Sequence, residues 1–450
     1  MTSHSTHHAP VDHADPSFPR LHIRPSRGWL NDPHGCINID GRYHVFFQHN
    51  PDAPVHASIK WGHASSTDLV TWRQEPIALV NRPGELDEYG CWTGCVVDDD
   101  GTPTAVYSAV ADATRRAEVL LARSDRGMRT WRQGHKSAAG RPDDPAITDV
   151  RDPFVFTMDG RRYAIQGAGH RQGSGRILGY DCDDLTSWTY LGPVLTSADP
   201  VAADLASGNV WECPNLVRFG ERWVLIFSQL CHLGDALTFD GVRYLVGDLS
   251  TGPDGLRFAP TAGGAVDLGP SFYAPQVLCR PDRILIWGWS PEGAARSPAE
   301  VAAAGWAGTL TFCRELFLDG DRLVSRPVPE LAALRREPLT VVAGEAIGAT
   351  AFDIEIAAGT ATLSLVDGQR STPVASIQAP ARILVDGSLV EIFGDGQAPH
   401  TARAYPTTTS EWVLRLDRPT SLAAWRLGLP DQLVSASPGS SVSTVRSHRR

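Results

Sequence analysis

Along the chain, short apolar runs begin directly after polar turns, and the pairing recurs. Asp40-Gly41 opens RYHVFFQ, Asp100-Gly101 opens TPTAVYSA, Asp159-Gly160 opens RRYAIQG, Phe219-Gly220 opens ERWVLIFSQ, and Pro281-Asp282 opens RILIWGW. Gly41, Gly101, Gly160 and Gly220 lie 60, 59 and 60 residues apart, and the fifth turn follows after a similar interval. Runs of this length, rich in Val, Ile, Phe and Tyr and bounded by Asp-Gly, read as hairpin strands rather than helices. A second element follows the first three turns by about thirty residues: STDLVTW ending at Trp72, SDRGMRTW at Trp131 and DDLTSW at Trp188. Each reads as a polar turn opening into an outer strand that carries a buried aromatic. Five such units predict an all-β protein whose residues 21–326 form a five-bladed β-propeller.

The pattern changes near residue 330. Residues 327–338, PVPELAALRREP, read as a short helical linker. From 339 to 436 short strands alternate apolar and polar positions, as in TATLSLV (360–366), ARILVDGSLVEIFGDG (381–396) and EWVLRLD (411–417). This predicts a β-sandwich, with Asp386-Gly387 marking a hairpin. Residues 1–20 read as a disordered lead-in and 437–450 as a flexible tail.

Composition narrows the function. Gly (42), Pro (33) and Trp (13) are frequent, as suits many strands and tight turns. The formal charge is −10 with no basic run, which argues against nucleic-acid and anionic-membrane partners. No apolar stretch is long enough to span a bilayer, and the first twenty residues lack the basic start and apolar core of a signal peptide. Eight cysteines are scattered singly without a CxxC pair, and no H-x3-H or HExxH pattern is present. A cytoplasmic protein without metal or cofactor is expected.

In a propeller the first strand of each blade lines the central channel, so equivalent positions converge on the axis. Seven or eight residues before the five turns stand Asp32, Thr93, Asp152, Glu212 and Tyr273. Three blades thus offer a carboxylate at matched depth. Acids buried this way are costly unless they do chemistry. Paired carboxylates are what glycoside hydrolysis needs: one protonates the leaving oxygen and one attacks the anomeric carbon or activates water. Trp29, Trp61, Trp92, Trp211, Trp289 and Trp306 supply flat faces for sugar rings.

At these residues the sequence resembles glycoside hydrolase family 32, the invertase, levanase and inulinase group, from about residue 21 to 430. WLNDPHG (29–35) is similar to the family's WMNDPNG box; FFQHNP (46–51), WGHASS (61–66), CWTG (91–94), RDP (151–153), EC (212–213), FYAPQ (272–276), GWAGTLTFCREL (305–316) and LVEIFGDG (389–396) follow in order. The resemblance implies a retaining, exo-acting β-fructofuranosidase. Asp32 would be the nucleophile, Glu212 the acid/base, and Asp152 a stabiliser bound to fructose hydroxyls. Asn31, Gln48, Trp61, Trp92, Thr93, Arg151, Tyr273 and Trp289 would line the fructose subsite. Leu30, His34, Thr93 and Ser271 depart from the family pattern, and His34 and Ser271 are expected to bear on the leaving group. Sucrose and short fructo-oligosaccharides are the favoured substrates. Fructosyl transfer, levan or inulin exohydrolysis, and a non-catalytic fructan-binding propeller are the alternatives. A phosphorylated sugar would need a basic pocket, and none can be located in the sequence.

Overall fold

The structure is a computed structural model and describes residues 14–430 apart from 234, 235 and 254. Strands dominate it. Five first strands organise the larger unit: β1 (Gly28–Ile39), β2 (Gly90–Asp99), β3 (Ile147–Met158), β4 (Val210–Phe219) and β5 (Tyr273–Cys279). Each starts an antiparallel group of four; after β1 come Arg42–Asn50, Lys60–Ser66 and Arg73–Gln74. The groups of β3 and β4 are joined by one pairing, Gly169 with Val210, into a single eight-stranded sheet.

The Asp-Gly pairs make the turns that their chemistry dictates. Asp40 and Gly41 have φ of 52° and 79°, Asp100 and Gly101 50° and 85°, and Asp159 and Gly160 51° and 76°. Two successive left-handed residues twist a two-residue loop to match the strands it joins. The second strands are buried almost throughout, as Arg42–Asn50 is beyond its first residue, which explains their unbroken apolar character. The three later tryptophans fold back on their own turns: the Trp72, Trp131 and Trp188 indoles donate to the carbonyls of Leu69, Met128 and Leu185. They are half-buried.

Successive first strands touch one another, and β5 returns to β1. Trp306–Ala307 adds a parallel pairing to the start of β1.

A 3₁₀ turn, Pro329–Leu334, leads to two further sheets, of six and three strands, enclosing a separate core that includes Phe352, Ile354, Ile383, Leu363, Trp412 and Leu414. The hairpin at Asp386-Gly387 is present, Asp386 pairing with Leu389. Gly387 has φ 58°, and a Cβ there would meet the carbonyl oxygens of Ser17 and Phe18 at 2.7 Å. That contact corrects one expectation. Residues 1–13 and the 437–450 tail lie outside the described residues, but 14–20 are packed rather than loose. Asp386 accepts from the backbone N–H groups of Arg20 and Leu21, and the Trp306 indole donates to Asp15. Polar spelling concealed a segment held by its backbone and by the Asp15 carboxylate.

The two units meet over a buried charge network. Fully buried Arg314 donates to Asp267 at 2.7 Å, to Glu391 at 2.6 and 3.0 Å, and to Thr401 at 2.6 Å. His22 bridges Asp386 (2.8 Å) and Glu391 (3.2 Å). Each charge has a partner, the condition under which burying it is tolerable.

Candidate active site

The five first strands share a defect. The ladder to the second strand skips Asp32 in β1, Trp92–Thr93 in β2, Asp152–Pro153 in β3, Cys213–Pro214 in β4 and Ala274–Pro275 in β5. Proline, lacking an N–H, suits such a bulge. Where proline is absent, Gly94 lies so near the neighbouring backbone that a Cβ would stand 2.0 Å from the Val106 oxygen. Asp152, Cys213 and Ala274 have φ of 60°, 47° and 44°, a conformation that side chains other than glycine rarely adopt. The strain re-aims the chain at the site.

The strand pairings also correct the expected alignment, because the turn after β4 lies at Gly220-Glu221. Asp32, Thr93, Asp152, Cys213 and Ala274 are the equivalent positions; Glu212 and Tyr273 stand one residue earlier, with Asn31 and Arg151. The carboxylates therefore occupy two registers rather than one matched depth, and the interactions run along each. In the first, Thr93 Oγ1 donates to Asp32 Oδ2 at 2.6 Å, and Gln48 Nε2 donates to the same oxygen at 2.9 Å. The Cys213 N–H donates to Asp152 Oδ2 at 2.9 Å, and its thiol lies 3.4 Å from that oxygen and 3.7 Å from Asp32 Oδ2. In the second, Glu212 Oε1 accepts from Arg151 at 2.9 and 3.1 Å, and Oε2 accepts from the Tyr273 hydroxyl at 2.8 Å. Asp32, Asp152 and Glu212 are brought together.

Their surroundings shift their protonation. Burial pushes Asp32 up to about 6; the Thr93 bond opposes this and the charge of Glu212 adds to it. Burial likewise pushes Asp152 up to about 7, against the pull of Arg151 and with the help of Glu212 and Asp32. Burial first, then the neighbouring carboxylates, raises the Cys213 thiol, so it stays protonated and donates. It is not a thiolate nucleophile.

The aromatic positions divide. Trp92 and Trp289 stand at the site, and neither indole N–H has an acceptor within the protein. Trp61 does not line the site: it is 0% exposed, with its indole N–H on the Trp92 carbonyl at 3.0 Å. It holds Trp92 from behind. Asn31 accepts from the Trp29 indole at 2.6 Å. His34 also points into the core, its ring tilted against Trp61 with centroids 4.0 Å apart, and burial holds it neutral. Ser271 is buried with its N–H on the Thr401 carbonyl across the junction of the two units. Neither departure faces a leaving group.

Two residues were missed. His56 bonds Gln48 Oε1 at 3.1 Å with its ring between Trp29 and Trp92. Phe239, 50% exposed, lies 4.4 Å from Tyr273. Both come from connections whose lengths break the repeat, so no pattern in the sequence places either beside the residues it touches.

Comparisons with known proteins identify the family. Residues 22–327 match the glycosyl hydrolases family 32 N-terminal domain and 354–414 the family 32 C-terminal domain. The chain is 30% identical to the raffinose invertase of Escherichia coli over 87% of its length and 90% of that protein's. It is 32% identical to the sucrose-6-phosphate hydrolase of Klebsiella pneumoniae, covering 92% and 94%. The β-fructofuranosidase structure from Bombyx mori superposes with a TM-score of 0.77 at 23% identity, covering 92% and 94%. With both units matched to one family and relatives at this identity along nearly the whole length, the chain belongs to glycoside hydrolase family 32 and is a hydrolase of β-fructosides.

Proposed function

We propose that the protein is a retaining, exo-acting β-fructofuranosidase that releases terminal fructosyl units from sucrose and short fructo-oligosaccharides. The observation that carries this is the division of the three acids between different partners. Asp32, held by Thr93 and Gln48, is the nucleophile. It attacks the anomeric carbon as Glu212 gives its proton to the departing glycosidic oxygen; the carbon–oxygen bond breaks and a fructosyl ester forms. Water then attacks the same anomeric carbon, its bond to Asp32 breaks, and a proton from the water returns to Glu212. Asp152, fixed by the Cys213 N–H, holds fructose hydroxyls and offsets the oxocarbenium charge. Asn31, Gln48, Trp92, Thr93, Arg151, Tyr273 and Trp289 complete the subsite. The raised Asp32 and Asp152 let the site retain a proton near neutrality. The names of the relatives, an invertase and a hydrolase, favour water over a sugar as acceptor.

The same reading takes the five strand groups as blades of a five-bladed propeller over 21–326. The closed succession of first strands supports it. The two sheets at 339–436 then form a sandwich that props the propeller. Eight free cysteines support a cytoplasmic location.

The test uses Glu212→Gln and a nitrophenyl β-fructofuranoside, whose leaving group needs little protonation. This variant is expected to become fructosylated at Asp32 and stall, because no base activates water. Azide, which needs no base, then restarts turnover and yields a β-fructosyl azide. An α-configured azide would mean an odd number of displacements and overturn the assigned roles.

A further inference from the structure

Asp149 takes no part in the mechanism, yet β3 is distorted to hold it. Thr148 pairs with Gly169 and Arg151 with Gly167, so β3 advances three residues while its partner advances two. This second bulge, at Asp149 and Val150, has no counterpart in β1, β2, β4 or β5, whose pairings are unbroken up to the site. Asp149 has φ 55°, a left-handed conformation that Asp and Asn accept more readily than most side chains. A bulge re-aims the side chain it carries. Here it aims Asp149 at Arg151. Arg151 Nη1 donates to the Asp149 carbonyl oxygen at 3.0 Å and to its carboxylate at 3.3 Å. Nε and Nη2 of the same guanidinium donate to Glu212 Oε1 at 3.1 and 2.9 Å. One cation lies between two carboxylates, with a different edge turned to each.

The charges decide what this arrangement does. A cation beside a carboxylate favours the ionised form, so Arg151 by itself works against the proton that Glu212 must carry in the first step. Asp149 offsets that cation. Burial opposes its charge, but Arg151 first, then Thr148 and His232, hold its carboxyl below the usual carboxylate range. Among the described residues Asp149 is the one carboxylate besides Glu212 that Arg151 bonds. The other titratable groups facing Glu212 are Tyr273, through its hydroxyl at 2.8 Å, and Cys213, Asp32, Asp152 and His56. We propose that Asp149 is a positioning residue for the acid/base: it fixes the Arg151 guanidinium against Glu212 and cancels enough of its charge for the site to keep the proton that the leaving oxygen receives. Because this rests on the acid/base role proposed for Glu212, one of its two tests is made without substrate.

The variant is Asp149→Asn, which keeps an acceptor for Arg151 and a side chain that tolerates the left-handed backbone, and removes only the charge. The first measurement is the pH profile of kcat/KM. With sucrose, the basic limb marks loss of the proton that the first step needs. It should move down by about 0.5–1 unit, the effect of one charge lost across a guanidinium in a partly screened setting. The acid limb, set by Asp32, should stay in place. With a nitrophenyl β-fructofuranoside, whose departure needs little protonation, the basic limb should not follow. Asp149→Glu, which restores the charge, should return the sucrose limb toward its original place. The second measurement is the carboxyl titration of Glu212 by carbon-13 NMR without substrate, its signal assigned by its loss in Glu212→Gln. In Asp149→Asn that titration should also move down, by the same ~0.5–1 unit. An unmoved signal, a sucrose limb that stays put, or an equal shift with both donors would overturn the role of Asp149. A signal that moves in a protein that cleaves no fructoside would uphold the coupling of Asp149 to Glu212 and overturn the proposed function instead.

Discussion

Thr93→Val is the sharpest probe of the site, because it removes one hydrogen bond and almost no volume. The hydroxyl donates to Asp32 Oδ2 at 2.6 Å, a bond that favours the ionised carboxylate and opposes the rise caused by burial. Hydrogen bonds to charged groups contribute about 1.5–3 kcal/mol, and each pKa unit corresponds to about 1.4 kcal/mol. Losing the bond should therefore raise Asp32 by about one to two units, from about 6 toward 7–8. A nucleophile must be ionised, so activity falls as pH drops through its pKa. The acid limb of kcat/KM should move up by the same one to two units, and activity at pH 6 should fall by about 5- to 50-fold. Gln48 still reaches Asp32, which keeps the shift from being larger. Asp152 keeps its bond from Cys213, so the movement reports on Asp32. Thr93→Ser, which restores the hydroxyl, should return the limb toward its original place. A limb that stays put in Thr93→Val, or moves to lower pH, would refute the assignment of Asp32 as the ionised nucleophile.

Arg314→Met should lower unfolding free energy by about 3–5 kcal/mol, since Asp267 and Glu391 would remain buried without their cation; thermal denaturation measures it, and a loss below ~1 kcal/mol would mean that the junction does not depend on the network. His34→Asn should change stability but leave the ratio of kcat/KM between sucrose and 1-kestose unaltered, because His34 packs on Trp61 inside the core. A shifted ratio would show that the position communicates with the leaving group.

Much of this was legible in the chain, for identifiable reasons. Asp40-Gly41 and its two successors named their turns because few residues other than Gly, Asn and Asp accept a left-handed conformation. Asp32, Asp152 and Glu212 were legible because the repeat carries them into one place. The register between them was not. The hairpin after β3 turns at Asp159-Gly160, but the one after β4 turns at Gly220-Glu221, one residue beyond Phe219-Gly220, so counting back from the assumed turn aligned Glu212 with Asp152, although Cys213 is the true equivalent. Trp61 was misplaced for a related reason: a motif position marks importance, but not whether a ring faces the substrate or supports the ring that does. The segments GWAGTLTFCREL and LVEIFGDG were legible as motifs, while their work was hidden. Arg314 and Glu391 join the two units across 77 residues of sequence.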